Sequence, residues 1–337
     1  MKISAEKKKA VELYILDKIK ERIPSVAVHV SASLGIDQST VYRYIKELER
    51  AGVIKKEGRG RYVLSEKRYE YTLSRTEGDF RSDTLAYDRC VYPHICCFPD
   101  NVKNIWAYVF SEMMNNVIDH SDAENAFITV LQDQLDTTVI LRDNGIGIFR
   151  KIAAFFELPD MDDAVAELFK GKLTTDAVHH SGEGIFFSSR MMDRFRIVSD
   201  GKVFTCNEWN EDMISDLALQ DGTGTVVIMS LSDNSARKAS EIFDMYADVD
   251  GGFTRTMIPI GQIFHSAPVS RSQAKRVCSR LDSFSEVTLD FAGVDWTGQG
   301  FIHELFCVFG KKHPETVLLP VNMSEPVEKM VRHVTGK

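Results

Sequence analysis

Three polar side chains, Glu112, Asn116 and His120, recur every four residues within the segment SEMMNNVIDHS. On a helix this spacing places a carboxylate, an amide and an imidazole along one face. The amide oxygen of Asn116 suits Mg²⁺, and the carboxylate of Glu112 can hold and polarise a water molecule. A polar stripe on a surface helix would have the same spacing, so this row alone leaves both interpretations open.

A second segment, DNGIGI at residues 143–148, follows two predicted strands at residues 127–131 and 138–141. The carboxylate of Asp143, at the end of a strand, can accept a hydrogen bond from an exocyclic amine such as that of adenine. Gly145 and Gly147 allow the backbone to turn sharply and to approach a ligand. An ordinary Asn-Gly turn accounts for the same residues equally well.

A third segment, GEGIFFSSRM at residues 182–191, places Gly182 and Gly184 directly before a predicted helix. Free N–H groups and the positive end of the helix dipole then meet at one point, which favours binding of a phosphate. The segment is neither a Rossmann fingerprint nor a Walker P-loop, because the third glycine and the GK[ST] triplet are absent. A fourth segment, GTGTVVIMS, places Thr225 at the start of an apolar strand.

Taken in this order, the four segments resemble the GHKL superfamily of gyrase-type ATPases, heat-shock chaperones, histidine kinases and mismatch-repair ATPases. The resemblance covers residues 75–232 and implies an antiparallel or mixed sheet with helices on one face, and a pocket for ATP and Mg²⁺. It implies that Asn116 binds Mg²⁺ and that Glu112 is the general base. The remaining expected contacts are Asp143 and Thr225 at the adenine, Gly145 and Gly147 beside the base, Gly182 and Gly184 at the phosphates, and His120 at the end of the polar row.

In such a domain, residues 149–181 would form the lid over ATP. Lys172 is the predicted phosphate contact of this lid, with Lys170 as the alternative. His179 and His180 could accept a phosphoryl group, but polar lid residues beside a triphosphate are the simpler interpretation. The segment from Glu66 to Asp100 has the pattern of extended or irregular chain, without the phospho-accepting helical hairpin of a sensor histidine kinase. The nearest resemblance is therefore to anti-sigma-factor serine kinases and related bacterial regulators.

Residues 1–70 predict three short helices followed by a basic hairpin, and they resemble the winged helix-turn-helix of bacterial transcription regulators. The third helix can enter a major groove, and the hairpin can neutralise phosphates. The candidate DNA contacts are Gln38, Thr40, Arg43 and Lys46 on the helix, and Lys55, Lys56, Arg59 and Arg61 on the hairpin. A winged helix used for protein contacts stays open as the alternative.

Residues 255–337 alternate predicted strands and helices and resemble STAS-like domains, which are related to anti-sigma antagonists. A helical linker at residues 233–254 precedes them. The serine that antagonists phosphorylate corresponds to Gln299 here, and Thr297 is the nearest hydroxyl. We therefore expect a domain that has lost its phosphate acceptor or that serves as a docking surface for a protein partner.

The charge of the chain is unevenly distributed. The first 70 residues hold 16 lysines and arginines against 10 aspartates and glutamates, although the whole chain has a net charge of −8. A basic head on an acidic body is expected if only the head touches nucleic acid. The six cysteines form no CxxC pair, and no apolar run could span a bilayer, which predicts reduced thiols, no membrane contact and a cytoplasmic location.

The sequence thus predicts an α/β multidomain protein in which a winged helix precedes a GHKL-type sandwich and a small STAS-like domain. The favoured function is a DNA-binding transcription regulator in which ATP closes the lid and repositions the head. An ATPase or a serine/threonine kinase acting on a partner protein is the second hypothesis, and a scaffold stabilised by bound nucleotide is the third. A homodimer remains open.

Overall fold

The computed structural model describes residues 5–58, 60–173, 182–206, 223–248, 250–264 and 266–336. These residues form a winged-helix head, a six-stranded sheet with helices, and a small three-stranded α/β unit, which confirms the predicted α/β multidomain architecture. Arg59, His179 and His180 lie outside the described residues. Within the described part of the chain, no helix has both the length and the apolar character needed to cross a bilayer.

The head has its own small hydrophobic core. Gly35, in the left-handed region at φ +62°, ends the second helix, and the Asp37 side chain caps the third by accepting from the Ser39 N–H at 2.8 Å. Ile15, Val30 and Ile45 are fully buried between the helices. The elements are α1 (Ala5–Lys20), α2 (Val26–Leu34), α3 (Gln38–Arg50), β1 (Ile54–Gly58) and β2 (Arg61–Leu64).

The middle of the chain forms a sheet in which every neighbouring pair of strands is antiparallel, in the order β3-β4-β5-β8-β6-β7. The strands are β3 (Lys67–Ser74), β4 (Asn125–Gln132), β5 (Asp136–Asp143), β6 (Arg194–Ser199), β7 (Lys202–Thr205) and β8 (Thr225–Ser232). Strand β3 pairs with β4 along its whole length, from Lys67 opposite Gln132 to Ser74 opposite Asn125. The predicted boundary at residues 70–75 therefore cuts through a strand that belongs to this sheet.

Helices cover one face of the sheet. Alternate strand residues such as Ile128, Val139 and Leu141 point into the core beneath them, where Trp106 and Phe110 are fully buried. The helices are α4 (Asp83–Cys90), α5 (Tyr92–Ile95), α6 (Asp100–Asn115), α7 (Ile148–Phe155), α8 (Met161–Lys170), α9 (Gly184–Met191) and α10 (Ala239–Tyr246). The predicted arrangement of helices on one face of an antiparallel sheet is therefore present.

The expectation that Glu66–Asp100 is extended or irregular was wrong for its second half. The Ser82 side chain accepts from the Thr84 N–H at 3.2 Å and so caps α4. Ala86, Tyr87 and Cys90 then lie at helical spacing and are buried against the rest of the core. The helix forms because its tertiary contacts bury this face, a stabilisation that the sequence pattern alone does not display.

The C-terminal unit has three parallel strands in the order β11-β10-β9, with helices connecting them. The strands are β9 (Arg255–Pro259), β10 (Glu286–Asp290) and β11 (Val317–Val321). The helices are α11 (Ile260–Ile263), α12 (Arg271–Cys278), α13 (Gln299–Ile302), which continues through a π-helical turn (His303–Phe309) into α14 (Gly310–Lys312), and α15 (Glu325–Thr335). This unit shares one continuous hydrophobic core with the middle sheet and its helices.

The head joins the middle sheet at the turn between β4 and β5. The Lys20 ammonium lies 2.7 Å from Asp133 Oδ2 and 2.8 Å from Asp136 Oδ2, and Leu135 packs against the core of the head. Arg194 of β6 also contacts Asp136 Oδ2, at 2.8 Å. The first residue of β5 is thus the point where the basic head and the sheet are held together.

Next to this joint, burial and the negative charges of Asp136 and Asp133 raise the pKa of Asp233 from its normal value of 3.8 to about 6. The group therefore favours folding when protonated, and this contribution is lost as the pH rises through about 6. Asp233→Asn keeps an oxygen that can accept from the Thr137 hydroxyl, which lies 2.8 Å away. We expect it to raise the free energy of unfolding at pH 8 by about 1 kcal/mol, after discounting for partial exposure, and by less at pH 5.

Urea denaturation at the two pH values measures this difference. Asp244→Asn, which removes an exposed carboxylate from α10, is the matched control and should leave stability nearly unchanged at both. An Asp233→Asn gain of equal size at pH 5 and pH 8 would contradict the assignment.

Candidate functional site

A cavity of about 250 Å³ lies where α6, α7 and α9 meet the end of β5 and the start of β8 in the middle sheet. All four segments singled out in the sequence contribute to its wall. The predicted residues that line it are Glu112, Asn116 and His120, Asp143 and Gly147, Gly182 and Gly184, and Thr225. Residues separated by more than one hundred positions in the chain therefore meet around one space.

The polar row begins in α6 and continues into a π-helical turn. The α-helix ends at Asn115, and Asn116–His120 form a π-helical turn with wider i to i+5 spacing. Such turns are rare and are often found at functional sites. Glu112, Asn116 and His120 nevertheless all reach the cavity, so the predicted common face exists despite the departure from ideal α geometry.

Asp143, the last residue of β5, is only 4% exposed. Its Oδ1 accepts from the Gly145 N–H at 2.8 Å, and Thr225 offers further hydrogen bonds. Burial raises the pKa of this carboxyl, and the hydrogen bonds from Gly145 and Thr225 partly offset the rise. The Thr225 hydroxyl oxygen also accepts from the Ile148 N–H at 3.0 Å, which ties the start of β8 to the start of α7.

Two glycines of the predicted boxes have no room for a side chain, because neighbouring segments lie against their α-carbons. A Cβ on Gly145 would lie 2.0 Å from the Ser121 carbonyl oxygen, and one on Gly184 would lie 2.0 Å from Glu112 Oε2. Gly145 itself does not line the cavity; it packs the first glycine box against Ser121, directly after the polar row. The Glu112 carboxylate lies directly beside the second glycine box.

The amino end of α9 opens into the cavity. Gly182, at φ +71°, and Gly184 both line the cavity there, and the carbonyl of Gly182 accepts from the Leu173 N–H at 3.0 Å. The first N–H groups of a helix have no partner within it, and together with the positive end of this eight-residue helix they create a local preference for an anion. This end of the cavity is suited to phosphate oxygens.

The two lysines predicted to contact phosphate turn away from the cavity and towards the C-terminal unit. The Lys170 ammonium is buried, pairs with Glu167 at 2.5 Å and donates to the carbonyls of Arg276 and Ser279. Lys172 donates to the Ser283 carbonyl at 2.8 Å. Neither lysine lines the cavity, because both are used where α8 packs against the C-terminal unit.

Sequence reasoning missed two parts of this site. One is Lys151 on α7, whose ammonium donates to the His120 carbonyl at 2.5 Å in the cavity wall. Its position four residues after Gly147 would have identified it only if residues 148–155 had been recognised as a helix. The other part is the apolar wall of the cavity, which includes Ile148, Ile152, Leu168, Ile185, Phe186 and Val227.

Seven of the eight predicted DNA-contacting side chains lie among the described residues of the head, on α3 and on the β1–β2 hairpin. Arg43 and Lys46 are exposed on α3, where Gln38 is also exposed and Thr40 is half-buried. Lys55, Lys56 and Arg61 are exposed on the β1–β2 hairpin. Tyr42, 44% exposed beside Arg43, adds an aromatic ring that the sequence analysis did not single out.

In the C-terminal unit, Gln299, which the sequence analysis aligned with the phosphorylated serine of antagonists, is exposed at the start of α13. Thr297, the nearest hydroxyl, is 3% exposed and donates to the Pro268 carbonyl at 2.6 Å. A buried hydroxyl with a hydrogen-bond partner is not available to a phosphorylating enzyme. The geometry therefore argues against Thr297 as a substitute acceptor.

Two family models match parts of the chain. Residues 29–55 match the winged helix-turn-helix DNA-binding family, and residues 273–328 match a STAS-like domain of unknown function. The head is thus a winged helix-turn-helix, which supports DNA binding, and the C-terminal unit is STAS-like, as predicted. Nothing among the curated proteins matches the chain.

Proposed function

We propose that the chain is a DNA-binding regulator whose central cavity binds ATP with Mg²⁺ and whose DNA affinity depends on that nucleotide. The observation that carries the proposal is the convergence of the four predicted segments on one cavity. The winged helix-turn-helix match supports the DNA-binding half, and the resemblance to the GHKL superfamily supports the ATP-binding half.

The cavity has two chemically different ends that fit the two parts of ATP. At one end the buried Asp143 carboxylate and Thr225, with apolar neighbours, suit a purine carrying an exocyclic amine. At the other end, Gly182 and Gly184 at the start of α9 suit phosphate oxygens. Asn116 would supply a neutral oxygen ligand to Mg²⁺ between them.

Strand β5 runs from the proposed nucleotide site to the joint with the head. Strand β5 begins at Asp136, which pairs with Lys20 of the head, and ends at Asp143, in the cavity wall. Its eight residues span about 24 Å, and β4 and β8 support it on both sides. A shift of Asp143 on nucleotide binding would therefore be passed along a supported strand to the joint with the head.

The coupling is tested by measuring the affinity of the full chain for fluorescently labelled duplex DNA with and without ATP and Mg²⁺. Couplings between sites are commonly 1–3 kcal/mol, so we expect a change of roughly fivefold or more in the dissociation constant. Asn116→Ala should remove this change. Equal DNA affinity in both conditions, in a protein shown by calorimetry to bind ATP, would refute gating while leaving the pocket intact.

We expect Arg43→Ala and Lys55→Ala to weaken DNA binding for different reasons. Lys55 on the hairpin would contact phosphate, so its loss should lower affinity for all sequences and reduce the salt slope by about one. Arg43 on α3 would face the base edges, so its loss should also reduce discrimination between sequences. Lys329→Ala, which removes a 73%-exposed lysine from α15, is the charge-matched control.

Fluorescence anisotropy titrations at several salt concentrations measure both quantities. If all three variants bind like the parent, the head does not bind DNA through this surface.

A catalytic role is the second candidate function, and one observation favours it. Glu112 Oε2 lies so close to the start of α9 that a Cβ on Gly184 would overlap it. A carboxylate beside a phosphate-binding helix end is positioned to accept a proton from a nucleophile, either water or a partner protein's hydroxyl. A phosphate-release assay with ATP, and labelling of added protein by radioactive ATP, distinguish an ATPase from a kinase.

We further propose the C-terminal STAS-like unit as the docking surface for a protein partner.

A further inference from the structure

One charged side chain in the cavity wall has no role in the account above. Lys151 projects from α7, and it is the one lysine or arginine among the described residues that line the cavity. The ionisable residues around it in that wall are Glu112, His120 and Asp143, two of them acidic. A ligand carrying several negative charges therefore needs a cation here in addition to its own metal ion and the amino end of α9.

Lys151 follows closely after the residue of α7 that contacts the proposed adenine end of the cavity. Helix α7 begins at Ile148, whose N–H is bound by Thr225 at the proposed adenine end. Lys151 lies one helical turn further, and its own N–H donates to the Gly147 carbonyl at 3.1 Å. Its ammonium reaches the His120 carbonyl at 2.5 Å, at the end of the polar row furthest along the chain from Glu112.

The ammonium retains the capacity to bind a ligand. Of its three N–H donors, one is directed to the His120 carbonyl, and a compact ammonium on a flexible stem can direct the others into the cavity. The half-buried position beside Ile148 and Ile152 reduces screening by water, which strengthens its attraction to an anion.

We propose that Lys151 binds the phosphate group nearest the ribose and thereby makes the pocket prefer adenine nucleotides to adenosine. This inference rests on the proposed nucleotide-binding function. It assigns to α7 the cationic contact that the sequence predicted for Lys172, and it separates recognition of the first phosphate from binding of the terminal phosphates at Gly182 and Gly184.

The test is isothermal calorimetry of the full chain with ATP, AMP and adenosine, using the parent, Lys151→Met and Lys151→Arg. We expect Lys151→Met to lower the affinity for ATP and for AMP by about tenfold, which corresponds to the loss of one charged hydrogen bond. The affinity for adenosine should not change. Lys151→Arg should recover most of the lost affinity. Arg150→Met is the matched control, because the Arg150 guanidinium on the same helix pairs with Asp200 and does not line the cavity.

The outcomes separate the two proposals. A parent that binds none of the three ligands refutes the proposed function, and the role of Lys151 with it. A parent that binds ATP while Lys151→Met binds it equally well refutes the role of Lys151 alone. An equal loss of ATP and adenosine affinity in Lys151→Met, with an unchanged melting temperature, would show that the side chain shapes the pocket and does not recognise phosphate.

Discussion

Replacing Asn116 with alanine is expected to abolish magnesium-dependent ATP binding, whereas replacing Glu112 with alanine should preserve binding and abolish turnover. The two side chains line the same cavity from neighbouring turns of one helix, but their chemistry differs. An amide oxygen is a ligand for Mg²⁺, and a triphosphate bound without its metal loses much of its charge compensation. A carboxylate beside the phosphate end acts on the proton of the nucleophile, which contributes to the rate and not to the ground-state affinity.

Calorimetry with and without Mg²⁺, followed by phosphate release from the same samples, measures both effects. Asn104→Ala, which changes an exposed residue of α6, is the control for altered helix stability. An equal loss of ATP affinity in the Asn116 and Glu112 variants would show that the two roles are wrongly assigned. Absence of turnover in the parent would leave Glu112 without a catalytic role and favour the purely regulatory function.

Gly145→Ala is expected to reduce ATP affinity by at least about a hundredfold without unfolding the head. The added Cβ would lie 2.0 Å from the carbonyl oxygen and 2.8 Å from the carbonyl carbon of Ser121. That carbonyl also accepts from the Ile146 N–H at 2.9 Å, so relief of the clash requires the backbone of one segment to move. Either movement displaces Asp143 or His120, and misplacement of a binding group by about 1 Å is enough for an effect of this size.

The measurement pairs ATP calorimetry with DNA binding of the same variant. Gly310→Ala is the matched control, because its Cβ would meet nothing closer than 3.9 Å. Both variants should still bind DNA in the absence of nucleotide, since the head has a separate core and stays folded. Retention of normal ATP binding by Gly145→Ala would contradict the contact between the first glycine box and the polar row.

The parts of the site that the sequence predicted are those set by local spacing. Glu112, Asn116 and His120 follow the period of a helix, and Asp143 and Gly147 lie within one turn. The spacing alone therefore predicts which of these side chains lie together, without any tertiary contact. The order of the segments then indicated that they meet. Thr225 was identified in the same way, as the first residue of an apolar strand.

The lysines could not be assigned in this way because tertiary contacts decide their direction. Lys170 and Lys172 lie in the predicted lid, but both ammonium groups donate to carbonyls of the C-terminal unit, those of Arg276, Ser279 and Ser283. Lys151 appeared as an ordinary polar residue until α7 placed it in the cavity wall. The helices at residues 83–95 were missed for a similar reason, since their buried face is recognised only against the core that covers it.

The middle sheet and the C-terminal unit share one core, so a ligand bound in the cavity would stabilise both of them and the head much less. Residues as distant as Trp106 and Phe301 belong to one buried cluster, whereas the head is built on another. A ligand that binds only the native cavity lowers the free energy of every conformation in which that cluster is intact. The C-terminal unit would therefore resist local unfolding and proteolysis when the cavity is filled, although it does not line it. The head would gain such protection only through its contacts with Asp133, Leu135 and Asp136.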